Sequence, residues 1–105
     1  AAIIHVNNIS AHPVWITVYG TNNSNLASWC SFPKTREDKT INQNIGTIQG
    51  EVKASNQRDC SNRRNVRTHP VRVRTLCEGY AVTIQNSNSF NVAPTFDWIN
   101  CNRRW

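Results

Sequence analysis

The sequence predicts an all-β protein, an antiparallel β-sandwich built as one domain over residues 1–105. Three observations carry this. Apolar and β-branched residues alternate with polar ones at a period of two in the periodic segments. No window of useful length repeats apolar residues at the i, i+3, i+4, i+7 spacing of an amphipathic helix. The extended runs are short and are separated by turns rich in Asn, Ser, Gly and Pro. A chain of 105 residues suits a single domain that buries a modest fraction of its surface.

Taken in order, Ile3 to Ile9 reads as a first strand with Ile4 and Val6 on one face. Asn7 to Pro13 is turn-like, and Pro13 prepares the next extended run. Val14 to Tyr19 is the clearest strand. Val14, Ile16 and Val18 alternate with Trp15, Thr17 and Tyr19, and large groups on both sides mark it as central. Gly20 to Asn25 is a loop by composition. Leu26 to Phe32 reads as a short strand fixed by Cys30. Pro33 to Lys39 reads as an exposed connection, and Thr40 to Ile45 as a strand ending at Gly46. Thr47 to Ala54 alternates with Ile48, Val52 and Ala54 inward, the pattern of a sheet with one wet face. Ser55 to Asn65 is a long polar loop that carries Cys60. In Val66 to Leu76, Pro70 cannot donate to a ladder, so that strand starts there or lies on an edge. Tyr80 to Gln85 alternates again, and after a polar loop comes an apolar cluster of Phe90, Val92, Phe96 and Trp98. Cys77 and Cys101 bracket this last, most aromatic stretch.

Composition bounds the function. Four cysteines without a CxxC pair fit two disulfides better than a zinc site, and they allow three connectivities. The absence of Met, the start at Ala1-Ala2-Ile3 and the sequons Asn8-Ile9-Ser10 and Asn22-Asn23-Ser24 suggest a secreted, processed chain. No apolar run is long enough to span a membrane as a helix. The net charge is +6, and Arg58, Arg63, Arg64, Arg67, Arg72 and Arg74 gather in one region, with Arg103 and Arg104 near the C-terminus. Such a cluster serves either as a solvated face or as an attractor for an anionic partner: a membrane surface, an acidic glycan or a nucleic acid. On an edge strand, Arg72 and Arg74 would also discourage edge-to-edge aggregation without any ligand.

Signals for catalysis are thin. His5, His12 and His69 are scattered, whereas a two-histidine nuclease needs two of them facing one phosphate with a cation between. Glu51, Glu78 and Asp97 are the carboxylates that a glycosidase could use, and nothing in their spacing pairs them. No Ser-His-Asp motif, phosphate-cradling loop or metal-ligand spacing is present, so no catalytic residue, metal or cofactor is assigned. Of the four Trp, Trp29 and at least one of Trp15 and Trp98 are expected in the core. Trp105, after Arg103 and Arg104, is the one expected to be exposed.

Three segments in order resemble the thaumatin-like proteins: IIHVNNISAHPVW, then TINQNIGTIQGEVKASNQRDC from Thr40 to Cys60, then FNVAPTF after a strand. Together they cover about half the chain. The resemblance implies that family's core β-sandwich, secretion, and a host-defence or glycan-binding role. It also implies the pairings Cys60–Cys77, closing a local loop, and Cys30–Cys101, tying an early strand to the C-terminal end. The chain departs from the family in having few cysteines and no early Cys near Ile9, and in lacking acids on the strand Tyr80 to Ile84. Of the family's acidic cleft, Glu78 is the one nearby candidate.

The expectation is a secreted, non-enzymatic defence-type protein that binds a cell-surface glycan or an anionic membrane lipid. Arg63, Arg64, Arg67, Arg72, Arg74, Glu78 and Trp105 are its candidate ligand-binding residues. The alternatives are a small secreted glucanase or ribonuclease toxin and a lectin-like agglutinin, with nucleic acid as a weaker partner.

Overall fold

The structure, a computed structural model, describes residues 2–53, 60–61, 66–73 and 79–94. These form eight strands: β1 (Ala2–Asn8), β2 (Val14–Gly20), β3 (Asn25–Ser31), β4 (Thr35–Ile41), β5 (Ile45–Lys53), β6 (Val66–Arg72), β7 (Gly79–Asn86) and β8 (Ser89–Pro94). They make two four-stranded sheets in the orders β4-β1-β7-β8 and β3-β2-β5-β6. All neighbours run antiparallel except β1 and β7, which are parallel. The all-β sandwich expected from the sequence is what the chain forms, and no helix occurs among the described residues.

The alternation of apolar residues builds the core directly. Ile4, Val6, Tyr80, Val82, Ile84, Phe90 and Val92 come from one sheet; Val14, Ile16, Val18, Ile48 and Val52 come from the other. β2 is flanked on both sides, so the central position read from its two bulky faces holds. β6 is an edge strand, as Pro70 requires; Pro70 sits mid-strand opposite Gln49. At Gly50 the two sheets approach closely. A Cβ there would overlap the ring of Phe90 from the facing sheet.

Besides the strand expected over Thr40 to Ile45, which is divided between the end of β4 and the start of β5 by the connection at 42–44, two sequence expectations change. Pro33 to Lys39 is largely not a connection: β4 begins at Thr35 and pairs with β1 from Ala2↔Ile41 to Asn8↔Thr35. Its residues Arg36 to Thr40 are charged or polar because β4 is an edge strand whose flank meets water. The other change concerns the disulfides. Cys30 on β3 is bonded to Cys60, with Cα atoms 5.9 Å apart. This replaces both expected pairings, Cys60–Cys77 and Cys30–Cys101. Each cysteine forms one bond, and Cys60 meets Cys30 on the outer face of β3. Cys77 and Cys101 themselves lie outside the described residues.

Each side of the sandwich is closed by a side-chain contact. Where edges β3 and β4 meet, Lys39 reaches over the ring of buried Trp29, its Nζ 5.1 Å from the ring centroid. At the other side His69 of β6 stacks on Phe90 of β8 (centroids 6.2 Å apart, 12° between planes), and its Nε2 lies 3.1 Å from the Ser87 carbonyl oxygen.

Candidate binding face

Antiparallel register places paired residues on the same face of a sheet, so the outer surface of β3-β2-β5-β6 can be written as three cross-strand rows. One row is Asn25, Tyr19, Thr47 and Arg72. The next is Ser28, Thr17, Gln49 and Pro70. The third is Cys30, Trp15, Glu51 and Thr68. Trp15 and Tyr19 are half-buried, while Thr17 between them is buried. Four residues of strand separate the two aromatics, about 13 Å at the usual rise. The face thus carries two aromatic side chains flanked by an amide, hydroxyls, a carboxylate and a guanidinium.

At the Tyr19 end the face opens into a cleft of about 300 Å³ lined by Gly20, Thr21, Asn23, Gly46, Thr47 and Arg72, with Val73 beside them. Its walls are fixed by backbone hydrogen bonds. Asn23 N donates to Gly20 O (3.0 Å), Gly20 N to Ser24 O (2.8 Å) and Val73 N to Gly46 O (3.0 Å). Asn23 adopts a left-handed conformation (φ 64°), which Asn tolerates in a tight turn. Gly46 is required by proximity: a Cβ on it would come within 2.8 Å of the Gly20 carbonyl oxygen.

The outer face of the other sheet has a different chemistry. His5 Nδ1 lies 2.8 Å from an Asp38 carboxylate oxygen. The two share a shallow cleft of about 280 Å³ with Asn7, Arg36, Ala81 and Thr83. A histidine oriented by a carboxylate can act as a general base. The other histidines are elsewhere, however: His12 in the β1–β2 loop and His69 on the inner side of β6. The two-histidine constellation is therefore not assembled.

Of the candidate ligand-binding residues, Arg67 and Arg72 are described, and both are exposed. They do not form one patch. Arg72 pairs with Thr47 on the outer face, whereas Arg67 pairs with Val52 and so leaves β6 on the opposite side. Arg63, Arg64, Arg74, Glu78 and Trp105 lie outside the described residues, as do Asp97 and Trp98. Trp15, Tyr19, Thr47 and Gln49 were not among the residues expected to bind. Their signal was present, because Trp15, Thr17 and Tyr19 form the outward half of the alternation in β2. The sequon at Asn8 is not usable in this fold: Asn8 is fully buried, and its amide donates to His12 O (2.8 Å) and Ser31 O (3.2 Å).

Compared with known proteins, the chain matches no family model and no curated sequence.

Proposed function

We propose that the protein is a secreted, non-enzymatic defence-type protein of the thaumatin-like kind that binds a cell-surface glycan. The observation that supports this most is the outer face of β3-β2-β5-β6, where Trp15 and Tyr19 share one surface with Thr47, Gln49 and Glu51. Sugars present apolar C–H faces to aromatic rings and hydroxyls to amides and carboxylates, and this face supplies both kinds of group. The spacing of about 13 Å between the aromatics suits an oligosaccharide rather than a single ring. The test is titration calorimetry or a glycan array with Trp15→Leu and Tyr19→Ala. Each should lower affinity for the glycans the native protein retains, by about tenfold or more for a contact worth about 1.5 kcal/mol. Undiminished binding in both variants would place the site elsewhere.

A second reading, contact with an anionic membrane, is favoured by a separate observation at the β1–β2 and β3–β4 loops. Ile9 (43% exposed) and Phe32 (50% exposed) project there, beside Lys34, whose Nζ donates to Ile9 O at 2.7 Å. The backbone around them is hydrogen-bonded internally: Ile9 N donates to Ile84 O, and Phe32 O accepts from Thr35 Oγ1. Such a tip can enter a lipid interface without leaving those groups unpaired. Co-sedimentation with phosphatidylserine vesicles should then be lost in an Ile9→Ser/Phe32→Ser variant, and retention would dismiss this reading.

A further inference from the structure

We infer that the glycan held by this face is an acidic oligosaccharide, with its carboxylated sugar at the Arg72 end; the inference rests on the glycan reading above. The row Tyr19–Thr47–Arg72 spans three neighbouring strands, so Tyr19 and Arg72 stand about 10 Å apart with a hydroxyl between them. A sugar lying on Tyr19 has its substituents within reach of Arg72. Arg72 is exposed and has no hydrogen bond or ion pair to any described residue. A guanidinium offers a planar fork of donors that matches a carboxylate bidentately.

The cleft beside it has the matching character. Arg72, Thr47, Thr21 and Asn23 line it, and among the described residues no carboxylate does. Its walls are held by the Asn23, Gly20 and Val73 hydrogen bonds, so the cleft exists before any ligand arrives and little ordering is needed on binding. Among the described residues, the other end of the face carries a carboxylate in place of a guanidinium. Glu51 lies next to Trp15 in the third row, and a carboxylated sugar placed there meets a like charge. The face is therefore directional, accepting a carboxylate beside Tyr19 and Arg72 and opposing one beside Trp15 and Glu51.

The experiment compares trigalacturonate with its fully methyl-esterified form, which keeps the rings and removes the charge, in calorimetric titrations of the native protein, Arg72→Gln, Glu51→Gln and Trp15→Leu. The native protein should prefer the acid by about tenfold, the scale of one charge-assisted hydrogen-bonded contact at an exposed site. Arg72→Gln should abolish the preference by weakening the acid more than the ester, and Glu51→Gln should raise affinity for the triacid. Trp15→Leu should weaken both probes alike, with its thermal midpoint confirming that it is folded. Equal binding of acid and ester by the native protein, no binding of either probe, or a preference that survives Arg72→Gln overturns the inference. The glycan reading stands or falls separately: it survives at this face if neutral laminaritriose binds and Trp15→Leu abolishes that binding, and this face is dismissed as the glycan site if Trp15→Leu and Tyr19→Ala change nothing.

Discussion

Gly50→Ala is expected to be among the most damaging single-atom additions this fold can receive. Gly50 lies at the centre of β5, paired with Ile16 on one side and His69 on the other. The ring of Phe90 crosses from the facing sheet and rests where a side chain at 50 would be, with Cε1, Cδ1 and Cζ all inside the space a Cβ needs. The ring has little freedom to yield. It is buried, His69 is stacked nearly parallel to it, and its own strand is paired with β7 through Ile84↔Phe90. Overpacking a tight core costs about 1–3 kcal/mol, and the constraint on three sides places this case near about 3 kcal/mol. For a domain of this size that lowers the thermal midpoint by about 12 °C. The assay is a double-mutant cycle in urea with Phe90→Leu, which removes the colliding Cε1 and Cζ and leaves only short Cδ methyls that can turn aside. In the Phe90→Leu background Gly50→Ala should cost nothing, or stabilise by about 0.5 kcal/mol through reduced unfolded-chain entropy. An equal cost in both backgrounds, or a cost below about 1 kcal/mol in the native one, would refute the idea that the sheets meet through a ring on a glycine.

Three further outcomes are expected. Replacing Cys30 and Cys60 by Ala should destabilise the fold by about 3.5 kcal/mol in the chain-entropy picture for a 30-residue separation, and non-reducing peptide mapping should return a Cys30–Cys60 peptide. Asn8→Ala should cost about 3 kcal/mol in urea unfolding, because Asn8 Oδ1 accepts from Ser10 N and Ser10 Oγ while its amide caps the His12 and Ser31 carbonyls. Burial pushes the Tyr80 phenol up to about 12 from its ordinary 10. The folded state therefore holds this proton more tightly than the unfolded one. Stability is fully present below pH 10 and declines as pH rises through 12, by up to about 3 kcal/mol, a decline that alkaline unfolding of Tyr80→Phe should lack.

The fold was legible wherever burial imposes a period of two on the residues. β2, β5 and β7 show it plainly, since their inward residues meet the other sheet and their outward ones meet water. β4 did not show it because an edge strand buries little. Only Ile41 is buried, and the run TREDK carries the charges that keep its flank in solvent. The disulfide was hidden for another reason: spacing along the chain does not say which strands become neighbours. Cys30 meets Cys60 because β2 lies between β3 and β5 and brings the exit of β5 near β3. The binding face was visible only in part. Reading Trp15, Thr17 and Tyr19 as one side of β2 was possible, but their neighbours Thr47, Gln49 and Arg72 follow from register.

Register also separates two meanings of a basic edge strand. Protection against edge-to-edge pairing depends on charge near the unpaired flank of β6, and it is indifferent to which face the side chain leaves from. Arg67 and Arg72 both meet that need, one on each side of the strand. Recognition is not indifferent, because a ligand on the outer face meets Arg72, Thr47 and Tyr19 in a row, whereas Arg67 shares its side with Val52 and the core. The arginine content of β6 alone therefore says little about binding. The pairing Thr47↔Arg72 turns one of these charges into part of a surface that already holds aromatic rings and a preformed cleft.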